Sequence, residues 1–431
     1  MIDKSPLELN KEFQYALDVL EKTDRSAFIT GRAGTGKSTL LKLFRNTTRK
    51  KTVVLAPTGV AALNVKGQTI HSFFRFPAKP LRREEIKPLR NRKLYKRLEV
   101  LIIDEISMVR ADLLDNIDYF LRRNRENPNP FGGVQVIFFG DLFQLPPVVS
   151  SDAERQLFST YYDSPYFFSA KVFEEGFGME MLELRVTYRQ ESRHFLRLLE
   201  AVRLNQIDYD DLEDLNERHQ PNFDIEDYYI TLSPRNAIVN QINENQLKRL
   251  DSREYTFLAS IQGNFNPRLF PTDAALQLKA GAQVMFVKND PQRRFVNGTI
   301  GKITALNDDQ ITVQIEKPDG SKQKIEVEKL EWEILRYSID DQAGQGLQTD
   351  VVGSFKQYPL RLAWAITIHK AQGKTFDKVI INMGRGAFEH GQTYVALSRC
   401  RTLEGIVLKQ ALRPRDIMTD ERIVEYYEQQ F

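Results

Sequence analysis

The chain has 431 residues and a mass of 50.0 kDa, which exceeds one ordinary hydrophobic core, so we expect two large domains. Its 41% hydrophobic and 28% charged residues are typical of a globular protein without a membrane helix, and a net charge of +3 does not by itself indicate a nucleic-acid partner. No signal-peptide stretch opens the sequence, and the single cysteine, Cys400, excludes an internal disulfide framework, which favours a reducing, cytoplasmic location.

The segment "GRAGTGKST" at 31–39 follows the apolar run 26–30 and precedes the helical pattern "TLLKLF". This is the context of a phosphate-binding loop, in which glycines let backbone N–H groups approach phosphate oxygens at a helix N-terminus. Lys37 then reaches the β- and γ-phosphates, and Ser38 is a ligand for Mg²⁺. The residues that we assign to nucleotide binding in this loop are Gly34, Thr35, Gly36, Lys37, Ser38 and Thr39.

A basic segment follows at 75–97, where ten Lys or Arg residues stand against two Glu residues. On a chain of nearly neutral charge, such a face could follow the phosphates of a nucleic acid. A solvated helix face explains the same composition, so the two interpretations stay open at this point.

The run "VLIIDE" at 100–105 reads as a buried strand that ends in two carboxylates. Asp104 is placed to hold Mg²⁺ through water, and Glu105 is placed to polarise the water that attacks the phosphate. Two acidic residues at this point could instead cap the helical pattern that follows. The phosphate loop in the same domain favours the catalytic interpretation.

Gln144 follows the apolar run 136–139 and the strand exit Gly140-Asp141, just before Pro146 and Pro147. The prolines stiffen the segment beyond it, and a neutral amide can both donate and accept hydrogen bonds. We interpret Gln144 as a sensor that reports the γ-phosphate, with a solvent-facing turn residue as the alternative.

Apolar runs alternate with helical patterns up to residue 141, which predicts a parallel sheet covered by helices. Similar runs return at 228–234, 363–373, 379–384 and 393–399. Between these blocks, period-two alternation from 298 to 339 around a Pro-Asp-Gly turn predicts a small antiparallel barrel. The fold class is therefore α/β, with an antiparallel insert in the second sheet domain.

Two other nucleotide-dependent classes fit the sequence less well. The segments "NQID" at 205–208 and "SAK" at 169–171 loosely match guanine-reading motifs, but they occur in the wrong order and "NQID" follows a helical, acidic stretch. A small kinase would not need a second sheet domain that ends in "YVALSRCR".

The motifs together resemble the superfamily 1B helicases of the petite-integration-frequency family, with RecD-type enzymes as relatives. The resemblance covers nearly the whole chain. It is carried by "LNKEFQYA", "APTGVAALNVKGQTIHSFF", "IDYFLRRNRENPNPFGGVQVIFFGDLFQLPPV", "LRVTYRQ", "LSPRNAIVNQIN", "KNDPQRRFVNGTIG", "TIHKAQGKTFDKVIIN" and "QTYVALSRCRT". It implies a 5′-to-3′ DNA helicase that moves on single-stranded DNA and uses ATP and Mg²⁺.

The resemblance also implies a domain plan. It gives a first RecA-like ATPase domain at 1–185 with a basic wedge insert at about 66–97, a second RecA-like domain at 186–280 and 351–431, and a β-barrel at 281–350. ATP binds between the two RecA-like domains, and single-stranded DNA crosses both. Forks and quadruplexes are candidate partners, no membrane is involved, and the protein is expected to be a monomer.

Individual residues follow from the same resemblance. Gln14 reads the adenine, Gly373 and Lys374 lie on the ATP side of the cleft, and Arg189 and Arg399 reach the transferring phosphate from the second domain. We assign Phe74 to the core. The candidate DNA contacts are Pro57, Thr58, His71, Phe73, Ser233, Asn236, Thr367, His369 and Ser398.

Two alternatives remain for the function. The first is a nucleic-acid clamp or loader that uses ATP to switch affinity without unwinding. The second is a signalling switch whose hydrolysis ignores DNA.

Overall fold

A computed structural model describes residues 10–77, 79–149, 151–190, 192–317, 320–339 and 347–431, apart from the side chain of residue 153. The first residue of the adenine-reading segment and residues 340–346 at the end of the predicted barrel lie outside the described residues. Among the described helices, none is both long and apolar enough to span a bilayer.

The first sheet is parallel throughout, with the strand order β3-β2-β4-β5-β1-β6. Its strands are β1 (Ala27–Gly31), β2 (Thr52–Ala56), β3 (Gln68–Thr69), β4 (Val100–Ile103), β5 (Gln135–Phe139) and β6 (Glu180–Leu184). Every residue of β1, β4 and β5 is buried, because helices cover both faces of this sheet. The predicted parallel sheet is confirmed.

Eight helices belong to this half of the described chain. They are α1 (Lys11–Lys22), α2 (Lys37–Thr47), α3 (Gly59–Asn64), α4 (Ile70–Phe74), α5 (Lys93–Arg97), α6 (Ala111–Arg125), α7 (Asp152–Tyr161) and α8 (Lys171–Glu174). Helix α1 begins at a side-chain cap from Asn10, whereas α2 follows Gly36 and has no side-chain cap. The first N–H groups of α2 therefore point towards any ligand placed before it.

The second half begins with α9 (Arg193–Arg203), α10 (Tyr209–Asn216), β7 (Ile230–Ser233) and α11 (Asn236–Lys248). The chain then forms β8 (Glu254–Leu258), β9 (Ser260–Gly263), β10 (Ala275–Lys279), β11 (Gln283–Phe286), β12 (Ile300–Leu306), β13 (Ile311–Glu316), β14 (Lys322–Val327), β15 (Leu330–Ile339), β16 (Leu347–Gln357) and β17 (Leu360–Leu362). It closes with β18 (Ala365–Thr367), α12 (Ile368–Ala371), β19 (Val379–Ile381), α13 (Gln392–Leu397), β20 (Ile406–Leu408) and α14 (Glu421–Gln430).

The second parallel sheet has the order β18-β7-β19-β20, so the strands of the insert interrupt it between β7 and β18. The insert contains a five-stranded antiparallel sheet with the order β14-β13-β12-β11-β17, together with smaller antiparallel sheets. Its strands run from Glu254 to Leu362, and the domain limits 281 and 350 remain predictions.

The insert also contacts the first sheet. The hydroxyl of Tyr337 on β15 accepts a hydrogen bond of 3.0 Å from the backbone N–H of Val54, on the stretch of β2 that β3 leaves unpaired. One continuous apolar cluster includes Ile103 and Phe143 from the first half and Ile230 and Tyr394 from the second. Packing therefore holds the two parallel sheets together around a shared cleft.

Candidate active site

The phosphate loop has the backbone geometry that its glycines predict. Gly34 and Gly36 have φ angles of +90° and +89°, where side chains are strained. A Cβ atom on Gly34 would lie 2.6 Å from Cβ of Arg189, and one on Gly36 would lie 2.8 Å from the Phe13 ring. The loop is thus packed against its neighbours at two positions where only glycine fits.

A cavity of about 690 Å³ opens between the loop and the second sheet. The predicted residues that line it are Gly34, Gly36, Lys37, Ser38, Thr39, Asp104, Glu105, Gln144, Arg189, Gly373 and Arg399. Three predicted nucleotide-binding residues, Thr35, Gln14 and Lys374, do not line this cavity. Thr35 is buried within the loop, where its hydroxyl donates to the Arg32 carbonyl. The structure therefore brings together all five predicted catalytic residues.

Burial removes water from the three cations that line this cleft. Burial lowers the pKa of the Lys37 amine, which donates to the carbonyl oxygens of Gly31 at 2.6 Å and Arg32 at 3.0 Å. Burial, followed by repulsion from Arg399, lowers the pKa of Arg189 to about 9, and burial also lowers the pKa of Arg399. Three desolvated cations around one cavity fit a polyphosphate, because its negative charge would stabilise their protonated forms.

The pKa values of the two predicted carboxylates are shifted upwards. Burial raises the pKa of Glu105, and burial together with the charge of Glu105 raises the pKa of Asp104. Glu105 also has a positive φ of +53° directly after β4, a backbone strain often found at functional sites. A cation would relieve the charge repulsion between these neighbours.

The donor set fits Mg²⁺ supported by phosphate. The described residues contain no cluster of three or more His, Cys, Asp or Glu side chains suited to a metal. Mg²⁺ commonly takes one or two protein oxygens and fills its shell with water and substrate phosphates. Ser38 and Asp104 would supply those oxygens, and the ion would neutralise charge on the phosphates.

Gln144 is buried and faces the cleft, so it is not a turn residue in solvent. Its Nε2 donates to Asp141 Oδ2 at 3.2 Å. Its Oε1 accepts from Nε2 of Gln372 at 3.2 Å, and the same Gln372 amide donates to Glu105 Oε2 at 3.2 Å. Gln372, after α12, was missed by our sequence analysis, although it lies within the quoted motif "TIHKAQGKTFDKVIIN".

Asp141 connects Gln144 to further elements. Its carboxylate receives the guanidinium of Arg203 at 3.4 Å and the hydroxyl of Tyr394 at 3.4 Å, and all three side chains are buried. The Tyr394 hydroxyl in turn accepts from the backbone N–H of Ala33 in the phosphate loop at 3.0 Å. A chain of hydrogen bonds therefore links the loop, Gln144 and helix α13.

Arg189 lies between the phosphate loop and Ser398 of the second half of the chain, and its assignment to the second domain stays a prediction. The backbone N–H of Tyr188 donates to the Gly34 carbonyl at 2.9 Å, so the segment after β6 is fixed against the loop. Arg189 then donates to the Ser398 carbonyl at 3.0 Å. Arg399 follows α13, which lies between β19 and β20 of the second parallel sheet.

Two aromatic rings line the cavity beside the phosphate loop. Phe13 and Tyr188 line it, and Asn10 donates to the Tyr188 hydroxyl at 2.9 Å. Gln14 is exposed on α1, and its side chain does not line the cavity. Base recognition by Gln14 stays a prediction.

The predicted DNA contacts divide into exposed and buried groups. Thr58 and Asn236 are exposed, and Pro57, His71 and His369 are partly exposed. The buried group consists of Phe73, Ser233, Thr367 and Ser398.

The buried group is a correction to the sequence analysis. Phe73 is 3% exposed and packs edge-on against Phe74 and Tyr95, so it is a core residue like Phe74. Ser398 is fully buried, and its hydroxyl donates to the Val395 carbonyl. Because both side chains are packed inside the protein, neither can reach a DNA strand in this structure.

Ser233 and Thr367 are buried at the ends of their strands. The Ser233 hydroxyl accepts from the backbone N–H of Arg235 at 3.4 Å, and the Thr367 hydroxyl caps α12 by accepting from Lys370. Their side chains hold the loops that follow them and are turned away from solvent in this structure. Their contact with DNA stays a prediction.

Two family profiles and a curated relative match this chain. A profile of the PIF1-like helicase matches residues 8–213, and a profile of the 2B domain of the DNA helicase Pif1 matches residues 257–306. The ATP-dependent DNA helicase Pif1 of Bdellovibrio bacteriovorus is 35% identical, over 98% of this chain and 92% of the relative.

Solved structures of Pif1 helicases are similar to this chain in fold. Bacteroides sp. Pif1 in complex with ADP-AlF4 is 38% identical with a TM-score of 0.89, covering 98% of this chain and 97% of that one. Bacteroides Pif1 bound to ssDNA is 39% identical with a TM-score of 0.68, and the match again covers 98% of this chain and 97% of that one. The phosphate loop, the carboxylate pair and the cross-cleft arginine thus occur in a chain that belongs to the PIF1-like helicase family.

Proposed function

We propose that this chain is an ATP-dependent DNA helicase that moves 5′-to-3′ on single-stranded DNA and unwinds duplex or structured DNA. The observation that carries the proposal is the shared cleft. Lys37 and Glu105 come from the first sheet, and Arg399 and Gln372 come from the second. ATP bound there would contact both halves, so binding and hydrolysis would change their relative position.

Residues on both halves are available for a strand. Thr58 after β2 and Asn236 after β7 are exposed where parallel strands end. A relative of similar length has been crystallised with ssDNA, which supports the same ligand here. Forks and quadruplex DNA as substrates, a monomeric state and a cytoplasmic location belong to this proposal.

The chemistry assigns one role to each side chain. Lys37 binds the terminal phosphates, Glu105 orients and deprotonates the attacking water, and Arg399 stabilises charge in the transition state. Gln144, through Gln372, senses whether the terminal phosphate is present.

The deciding experiment measures the ATPase rate with and without a single-stranded oligonucleotide. It also measures strand displacement from a duplex that is longer than one binding site. A helicase hydrolyses ATP faster with DNA and displaces the complementary strand from a duplex with a 5′ single-stranded tail. A clamp or loader would respond to DNA without displacement, and a signalling switch would ignore DNA. Glu105→Gln is the control that should bind ATP without displacing strands.

The basic wedge carries a second test of fork binding. Arg92 already pairs with Glu126 at 2.7 Å, so part of its charge is used within the protein. We expect affinity for DNA to fall steeply with salt, as counterions are released from phosphates. Neutralising Arg90, Arg92 and Lys93 should weaken fork binding more than single-strand binding. Neutralising the exposed Lys322 and Lys324 is the matched control, and an equal loss on both substrates would contradict a role at the fork.

A further inference from the structure

An exposed aromatic ring stands in the segment between β19 and α13. Phe388 is 51% exposed, although it is a large apolar side chain. The guanidinium carbon of Arg235 lies 5.1 Å from the centre of its ring. This pair takes no part in the nucleotide cleft. A ring in water beside an arginine is a surface suited to a planar ligand.

The ring lies beyond the carboxyl ends of three neighbouring strands, at the edge of the second sheet where open α/β sheets usually bind ligands. The order β18-β7-β19 places the carboxyl ends of these parallel strands side by side. The segment after β7 carries Arg235 and Asn236, and the segment after β18 carries His369. Glu389, next to Phe388, lies 3.9 Å from Nε2 of His369. Phe388 therefore shares a surface with two of the predicted DNA contacts.

The backbone that carries Phe388 is held in place. Its N–H donates to Oε1 of Gln392 at 3.2 Å. Gly391 has a φ of +73°, and a Cβ atom there would lie 2.2 Å from the carbonyl oxygen of Gln144. The segment thus packs directly against the residue that faces the nucleotide cleft.

We propose that Phe388 and Arg235 form a base-stacking platform for single-stranded DNA. A base stacks on the Phe388 ring, while Arg235 holds that ring and faces the nearby phosphates with positive charge. Stacking is tolerant of sequence, as a moving enzyme requires, because every base has a flat aromatic face. The platform rests on the proposed function and specifies how one base is held.

Exposure alone does not carry this assignment. Tyr209 on α10 is 77% exposed, yet Asp208 and Asp210 flank it in the chain. Those carboxylates would repel a phosphate backbone. Tyr209 is therefore a matched control, an exposed ring in the wrong electrostatic setting.

The test compares full-length Phe388→Ala and Tyr209→Ala on two probes, an oligothymidylate and a strand of equal length with abasic residues. Loss of one stacked base should weaken oligothymidylate binding by Phe388→Ala about five- to a hundredfold. Binding to the abasic strand should match the wild type within about twofold, because that strand has no base to stack. Tyr209→Ala should bind both probes as the wild type does.

A second variant keeps the result readable if Phe388→Ala is poorly folded. Phe388→Trp should retain affinity, and its indole emission should fall on oligothymidylate but not on the abasic strand. The signal of Trp332 and Trp364 is subtracted with the wild type. Arg235→Lys keeps the charge but not the planar group and should lose less affinity than Arg235→Ala.

Two results would overturn the platform: an equal loss for Phe388→Ala on both probes, or no loss on either when the wild type binds tightly. If the wild type itself fails to bind oligothymidylate and its ATPase ignores DNA, the proposed function fails as well. The two failures are thereby distinguished.

Discussion

The nucleotide cleft and the surface proposed to bind DNA, here called the DNA face, differ in how their side chains are held. In the cleft, hydrogen bonds cross between the two sheets, from Gln372 to Glu105 and from Ala33 to Tyr394. On the DNA face, Thr58, Asn236 and Phe388 are exposed at the ends of strands or in loops. Changes in the cleft should therefore alter rates strongly, whereas changes on the DNA face should alter affinity more moderately.

The largest effect is expected for Lys37→Ala. The lysine supplies charge to the terminal phosphates and little packing, so hydrolysis should fall below about one-thousandth of the wild-type rate with the fold retained. Steady-state ATPase and the thermal midpoint measure the two effects. The exposed Lys22→Ala on α1 is the control. Near wild-type turnover by Lys37→Ala would remove the phosphate-loop assignment.

Arg399→Ala should lower hydrolysis by up to about 10³-fold, because a cross-cleft guanidinium stabilises charge in the transition state. Nucleotide affinity should change less, which single-turnover kinetics and equilibrium binding can separate. Arg399→Lys should recover little, since an ammonium lacks the planar fork. Equal losses of affinity and rate would indicate ground-state binding instead.

Gln144→Ala and Gln372→Ala test the contact that joins the two halves. Each should bind nucleotide nearly normally but lower the ratio of DNA-stimulated to basal ATPase on the order of tenfold. The double variant should be little worse than either single one, with a coupling of about 1 kcal/mol, since both side chains share one hydrogen bond. Independent, additive losses would show that Gln144 and Gln372 act separately.

The smallest effect on DNA binding is expected for Phe73→Ala. Because this ring is buried among aromatic side chains, its removal should cost about 3 to 5 kcal/mol of unfolding free energy. Single-strand affinity measured below the melting temperature should stay within about twofold. The exposed Asn236→Ala should show the reverse, weaker binding with little loss of stability. A large affinity loss for Phe73→Ala at full folding would return Phe73 to the DNA face.

The phosphate loop and the carboxylate pair could be predicted because each is local. Lys37 follows β1 within one loop, and Asp104 ends β4, so strand and helix periodicity places both at the carboxyl edge of one sheet. Arg399 could be predicted only through the family resemblance. Gln372 could not be assigned a partner, because its contacts lie 228 and 267 residues away in the chain.

The sequence by itself determined the alternating elements, the antiparallel insert and the nucleotide loop, since periodicity and glycine positions act over a few neighbouring residues. Only the tertiary structure decided that Phe73 and Ser398 are buried and that Arg189 lies between the phosphate loop and Ser398. Burial and cross-cleft contact depend on what packs from distant segments, such as Tyr95 against Phe73. A local pattern carries no record of those partners, because the same aromatic or serine suits a core and a surface until the chain has folded.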